Sequence, residues 1–455
     1  MKKLLVVLLV FSGTGLSQPM RPGDEHPGPG RERPDFVLFQ ALTLTSKDTS
    51  LARVDVHYRI NCDFFIPVKS LDPTFQWEFR RRGEILIELI DSTGVSRSRE
   101  ISRIEVGSET SEENSTTKNW YQGMVSFSIQ PGLYKLIVEV DDLESERKFI
   151  ERNATVRARK FGSVPLETSS PVLVEWEDSG STPGTLIPQN FGGNMLFGRR
   201  SALYLELASL RPLDNPVRVE YSIATIPGPD ETSEVLLKDT ALQVPMLRDA
   251  TLLQKKQVNA VAYSIETGAT QNVSGILIPF HSEKLPLRPF EVTVTIHCGT
   301  LETVVKTPIR MVWPEMPFSL RNVEFALDAL RYITTERQLD SLKQGPFKKQ
   351  RDNLEAFWKA KDPSPQTAYN ELMVQYYQRV DHAFQEFGTL REPDGSKSDR
   401  GRIYILFGPP TRVDRALSVT AGFQEIWAYE GLNKKFIFLD ETKSGNYVLV
   451  STQTL

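Results

Sequence analysis

Between Asp35 and Lys160 apolar residues recur at every second position. In VDVHYRINC, Val54, Val56, Tyr58, Ile60 and Cys62 share one parity, and a strand sends alternate side chains to one face. EILIELI alternates Ile85, Ile87 and Leu89 with polar neighbours, although Ile90 breaks the strictness. LYKLIVEVDD places Tyr134, Leu136, Val138 and Val140 on one side, after the turn signal Pro131-Gly132. Many short period-two runs divided by Gly, Pro, Asn and Asp predict a β-sandwich over 35–160. The polar stretch 107–118 is expected to be a long surface loop. On this pattern His57, with Asp55 and Arg59, belongs to a solvated face, and so does His297 beside outward threonines.

After a linker at 161–170, residues 171–317 repeat the design as a second sandwich. VRVEYSI (Val217–Ile223) shares Val, Val, Tyr and Ile with VDVHYRI at the inward positions. FEVTVTI from Phe290 echoes YKLIVEV from Tyr134. Two such pairs in the same order predict a duplicated module. Cys62 and Cys298 each extend an apolar stripe, so both are expected as buried thiols in separate domains rather than as a disulfide.

Beyond Trp313-Pro314 the period lengthens. SLRNVEFALDALRYI sets Val323, Ala326, Leu327 and Leu330 at helical spacing, with Ser319 or Asn322 as cap. A second helix starts at Pro346, carries Phe347, Leu354, Phe357 and Trp358, and halts at Asp362-Pro363. A third, from Pro365 to Phe387, repeats three-four spacing from Tyr369 to Phe387, with Ser364 as cap and Gly388 as stop. RIYILFG, EIWAY, KFIFLD and NYVLV then predict four strands, the last three in an antiparallel meander. In the first of these, Ile403, Ile405 and Phe407 are expected to meet the helices. The fold class is thus mainly β plus α+β: two β-sandwich modules and a helical and antiparallel-sheet domain at 318–455.

The ends and the charge balance set the compartment. MKKLLVVLLVFSGTGLSQ has a charged start, an apolar middle and a small-residue end, the layout of a secretory signal peptide at 1–17. Residues 18–34, rich in proline, glycine and charge, read as a flexible leader. No later stretch reaches the ~20 apolar residues of a membrane span. The chain is therefore expected to be exported, periplasmic or extracellular. With 54 basic and 58 acidic residues, nucleic acid and anionic membranes are not expected partners.

Most catalytic signatures are missing: no His-Glu-x-x-His, Cys-x-x-Cys, Walker loop or Gly-x-Ser-x-Gly occurs. His382 and Glu386 lie one helical turn apart without a third ligand, so no metal is expected, and no cofactor is implied. Two prolines in Gly408-Pro409-Pro410 remove the N–H groups that a phosphate cradle requires. One polar constellation stands out. Glu371, Gln375, Arg379, His382 and Glu386 form a stripe on the third helix, and Asp399, Arg400 and Arg402 lie near its far end in sequence. The candidate interaction residues are Asn370, Glu371, Arg379, Asp399, Arg400 and Arg402. Ion pairs of Asp399 with Arg379, or of Glu371 with Arg400, are expected to lock the loop onto the helix.

Three segments carry a family resemblance. FWKAKDPSPQTAYNE (Phe357–Glu371), QRVDHAFQEF and SDRGRIYILFGPP resemble the GWxTD domain of bacterial exported proteins. The name motif corresponds to Gly395-Ser396-Lys397-Ser398-Asp399, with serine in place of threonine and Ser396 in place of the tryptophan. The resemblance covers Phe318 to the end and extends to the LIPQNF element and following strand near Leu186–Leu207. It implies an architecture and a compartment, but no established enzymatic activity. The expected function is non-catalytic: binding to, or assembly with, other cell-envelope or extracellular proteins. The alternative is an exported hydrolase with Asp399 or Glu371 as general acid/base and arginines holding an anionic substrate.

Overall fold

The computed structural model describes residues 36–455 except 109–119, 176–184, 190, 192–193, 214–215, 228–231, 258–259, 269–271, 281, 314–315, 390–391 and 419–421. The expected signal peptide, the leader and nearly all of the polar loop at 107–118 lie outside the described residues. The chain forms two compact units, one holding the β-rich modules up to residue 314 and one formed by 315–455.

The first module is a sandwich of two antiparallel sheets. One sheet runs Val37–Leu44, Ala52–Asn61, Trp120–Ile129. The other runs Val68–Lys69, Phe79–Ile90, Gly132–Asp142, Lys148–Ala158, with Ser96–Ser108 also paired to Phe79–Ile90. The inward parity anticipated from the sequence is the buried one: Val54, Val56, Tyr58 and Ile60 meet Ile85, Ile87, Leu89 and Val138. Alternation works here because the pleat sends every second side chain into the gap between sheets.

In the second module a sheet Val172–Glu175, Ser201–Ser209, Val273–Phe280, Leu247–Arg248 faces a sheet Asn194–Leu196, Leu301–Val312, Pro289–Cys298, Val217–Thr225, Val235–Val244. A third, three-stranded sheet runs Thr185–Leu186, Ala260–Thr267, Ala250–Gln257. Inside the stretch 161–170, Leu166–Thr168 pairs with Ser201–Ser209, so that stretch is partly built into the second module rather than a plain linker. Cys62 and Cys298 are both buried, and no disulfide joins them.

The duplication does not hold. VRVEYSI and FEVTVTI are hydrogen-bonded neighbours, with Val219 opposite Ile296. Their supposed counterparts VDVHYRI and YKLIVEV lie in opposed sheets. The two pairs occupy non-equivalent places, so their likeness comes from the residues that any half-buried pleat favours.

The strand Ala52–Asn61 also departs from its sequence pattern. Its supposed solvated face is closed: Asp55 and His57 are both 0% exposed. A further apolar cluster, built from Leu42 and Leu44 of the first module and Val174, Tyr204, Leu252 and Tyr263 of the second, covers that side. The two sandwiches therefore share a core. His297 does keep partial exposure, between Glu220 and Glu302.

Residues 315–455 pack helices on a four-stranded antiparallel sheet. The helices are α1 (Phe318–Arg321), α2 (Val323–Ala329), α3 (Glu336–Leu342), α4 (Phe347–Lys359), α5 (Glu371–Glu386) and α6 (Asp399–Phe407). The sheet runs Arg412–Ser418, Gly422–Tyr429, Lys434–Asp440, Val448–Thr454. Asn322 is the cap of α2, accepting from the Phe325 N–H. The third helix starts later than its apolar stripe suggests, at Glu371, with Asn370 and not Ser364 as cap.

RIYILFG is helix, not strand. Ser398 accepts from the Gly401 N–H at the start of α6, and Gly408, at φ +79°, ends it. Ile403 joins Trp427, Phe436 and Phe438 of the sheet, whereas Ile405 lines a cleft with Trp358 and Tyr376 of α4 and α5. A helix with partners on two sides is apolar nearly all round, and a short run of that kind cannot be told from a strand by periodicity. The first strand of the sheet is instead Arg412–Ser418, after the prolines.

Candidate functional site

The name-motif segment is fastened by backbone. Gly395 opens a short 3₁₀ turn, Gly395–Lys397, laid against the end of α5. A Cβ on Gly395 would stand 2.3 Å from the Ala383 carbonyl oxygen and 2.4 Å from the Gly388 nitrogen. A Cβ on Gly401 would stand 2.1 Å from the Gly395 carbonyl oxygen. Only glycine at both places permits α5, the turn and α6 to approach this closely. Ser396, at the tryptophan position, is buried; its amide donates to Asp394, and its carbonyl accepts from Tyr332 Oη at 2.8 Å.

The six candidate residues do not converge, and the expected ion pairs do not form. Asn370 is structural at both ends of its amide: Oδ1 accepts from the Met373 N–H at 2.9 Å and Nδ2 donates to the Trp358 carbonyl at 2.8 Å. Asn370→Ala is expected to lower the stability of this unit by about 1–2 kcal/mol in urea denaturation, a lost cap plus an orphaned buried carbonyl. Glu371 accepts from Ser364 Oγ. Arg379, eight residues and about 12 Å further along α5, donates through Nη1 to the Ile405 and Leu406 carbonyls at the end of α6.

The Asp399–Arg402 tetrad turns to the sheet instead of the long helix. Asp399 Oδ2 accepts from the Leu449 N–H at 2.8 Å, and Oδ1 accepts from Arg402 Nη2 at 3.0 Å. Arg400 packs over the Tyr447 ring, 4.2 Å from its centroid, and donates to the Gly445 carbonyl. It also lies 5.1 Å from the centroid of the Phe387 ring and 3.7 Å from the buried Glu425, which Trp427 Nε1 and Arg415 also engage. Burial draws the Arg400 guanidinium below its ordinary value, against the opposing pull of Glu425. On α5, His382 stacks on Tyr404 with ring centroids 4.3 Å apart.

A second polar constellation, missed in the sequence, lies between the two sandwiches. Asp55 Oδ1 accepts from Arg53 Nε at 2.9 Å and Ser126 Oγ at 2.6 Å. Its Oδ2 accepts from Arg53 Nη2 at 2.6 Å and Tyr263 Oη at 2.7 Å. Tyr263 gives its one proton to this carboxylate, so the 2.6 Å contact with His57 Nε2 is a bond donated by the imidazole. Burial works to raise the Asp55 carboxyl, but Arg53 and the two hydroxyls outweigh it and hold it below the ordinary carboxylate range. Burial, reinforced by the Asp55 charge, pushes the Tyr263 phenol well above its usual range.

Glu206 closes the same seam from the other side. Its Oε2 accepts from the Thr45 N–H and hydroxyl, both at 2.7 Å, and its Oε1 accepts from Thr251 Oγ1 at 3.0 Å and the Leu252 N–H at 2.9 Å. Nearby, Thr43 and Ser170 exchange two more hydrogen bonds. Asp55, His57, Tyr263 and Glu206 are each 0% exposed, so this network binds module to module and offers no surface to a substrate. The sequence held a signal for it. VLFQALTL and SALYLELAS are apolar at both parities, which marks strands covered on both faces, and Glu206 is the sole charge in the second of them.

Residues 302–454 match the GWxTD domain family model. The chain thus carries a GWxTD domain over this C-terminal third. The match begins within the strand Leu301–Val312, upstream of the first helix, and does not reach Leu186–Leu207. No curated protein matches the chain. Among solved structures, similarity is found to the crystal structure of Salmonella alpha-2-macroglobulin reacted with methylamine, at 11% identity and a TM-score of 0.20. That similarity covers 62% of this chain and 25% of that one, so the chain spans about a quarter of that protein's length.

Proposed function

We propose that this protein is exported and non-catalytic, and that it binds or assembles with other cell-envelope or extracellular proteins. The observation that carries this reading is the engagement of the motif residues. Both oxygens of Asp399 are occupied by partners within the domain, Arg400 is enclosed by aromatic rings and Glu425, and Gly395 and Gly401 serve close backbone packing. A motif used this way builds a scaffold. The signal-like start of the sequence supports export. The hydrolase alternative lacks comparable support, because Glu371 sits at the opposite end of α5 from the Asp399 cluster and Asp399 is already paired.

The test is capture of partners by the tagged, exported chain from envelope fractions and culture medium. Specific recovery of envelope or extracellular proteins is expected; recovery of none overturns the reading. Asp399→Asn separates the alternatives. It is expected to lower the unfolding midpoint, because the carboxylate ties α6 to Val448–Thr454, with a cost of about 1–2 kcal/mol for the weakened Leu449 contact. An unchanged midpoint together with a lost hydrolytic activity would favour the enzyme.

A further inference from the structure

Within 315–455 a cleft of about 260 Å³ opens between α4, α5 and α6. Trp358, Leu372, Tyr376 and Ile405 supply its apolar wall, and Lys361, Gln375 and Arg379 its polar members. Both charged members are cations. The ion pairs described in this unit join Asp328, Asp394, Asp399, Asp414 and Glu425 to other cations, and none includes Lys361 or Arg379. Among the described residues, Arg379 donates through Nη1 in two long bonds of 3.4 Å to carbonyls. Lys361 lies 5.2 Å from the centre of the Phe357 ring. The Arg379 guanidinium packs over Gly408, where a Cβ would stand 3.1 Å from Nη2 and 3.3 Å from Nε, and Arg379 borders the cleft beside its apolar wall, where a planar fork pairs best with a carboxylate.

An anion with no apolar part would leave that wall wet, and an apolar ligand without charge would leave two cations unmatched. The matching chemistry is a bulky apolar group held close to a carboxylate. A polypeptide's last residue has this form, since side chain and α-carboxylate branch from one carbon. The cleft is small for a longer segment, as pockets for drug-sized molecules start at about 300 Å³. Gln375, with donor and acceptor on one amide, suits the peptide group that precedes such a residue. We propose that this cleft binds the carboxyl-terminal residue of a protein partner, a leucine- or phenylalanine-like residue with its carboxylate on Arg379 and Lys361. The proposal rests on the binding function above and adds to it the place and the chemistry of one contact.

The test is calorimetric titration of the full chain with N-acetyl-Ala-Leu, its carboxyl-terminal amide, and N-acetyl-Ala-Gly. The leucine acid is expected to bind about tenfold more tightly than either other peptide, the scale of one charge-assisted pair or one buried side chain. Arg379→Gln is expected to abolish the preference for acid over amide. Lys361 is exposed, so Lys361→Gln should fold normally and weaken the acid about threefold while leaving the amide unchanged; it decides the matter if Arg379→Gln proves unstable. Equal binding of acid and amide, no binding at millimolar peptide, or an acid preference that survives both substitutions overturns the proposal. Binding of 4-methylpentanoate as tight as that of the peptide also overturns it, in favour of a small acid. If wild type captures partners but no peptide binds, this inference fails alone; if wild type captures none, the broader reading fails first.

Discussion

Asp55→Ala is expected to destabilise the paired sandwiches by about 3–5 kcal/mol, the usual cost of removing one partner from a buried ion pair. Arg53, whose side chain is 14% exposed, would keep its bond to the Leu252 carbonyl but lose its counter-charge. Ser126 and Tyr263 would lose their acceptor as well. Urea denaturation of the full chain reads this directly, and a loss below about 1 kcal/mol would mean that water reaches the seam. The double substitution Arg53→Met with Asp55→Leu should recover much of the loss, because it leaves no orphaned charge.

Acid should open the same seam. The Asp55 carboxyl is held below its ordinary value of 3.8, so the unfolded chain binds more protons than the folded one in that range. The stabilisation is therefore complete above about pH 4 and is lost as pH falls through the folded value. In Asp55→Ala this part of the acid dependence should be absent, which a pH series of urea midpoints would detect.

Gly401→Ala should cost the 315–455 unit about 2–3 kcal/mol, even though alanine is the better helix former by about 1 kcal/mol. The added Cβ meets the Gly395 carbonyl oxygen at 2.1 Å, and that atom is backbone, with no rotamer to yield. Gly395→Ala should be comparably harmful through the Ala383 carbonyl and the Gly388 nitrogen. Because the Gly401 clash is with the backbone of Gly395 itself, a shift forced by one substitution changes the fit of the other, and the double variant should depart from the sum. Thermal melting of the four proteins checks this, and a neutral or stabilised Gly401→Ala would refute the close-packing account of the motif.

RIYILFG, Asp55 and His57 depart from the sequence pattern for one physical reason: that pattern gives each element a single buried side. α6 lies between α5 and the sheet, so its apolar residues surround it, and a period of two emerges by accident. The strand Ala52–Asn61 has one sandwich on each side, so polar residues at the outward parity are buried in a network rather than solvated. The ion pairs expected for Asp399 and Arg400 failed for a related reason. Sequence proximity to the α5 stripe carries no information about the strands that return from further along the chain, and those strands and the turn between the last two supply Leu449, Glu425 and Gly445.

The class of each region, the parity of both sandwich cores, the extents of α2 and α4 within a few residues, and the GWxTD resemblance are all legible along the chain. These are local properties, legible because period and capping chemistry act within a few residues. Only the tertiary structure decided that the sandwiches share a buried seam of Arg53, Asp55, His57, Tyr263 and Glu206, and that Asp399 and Arg400 clamp the sheet. Those contacts join residues from 45 to 208 positions apart in most cases. Which distant partner meets a polar side chain depends on how whole sheets pack, and a one-dimensional pattern does not encode that.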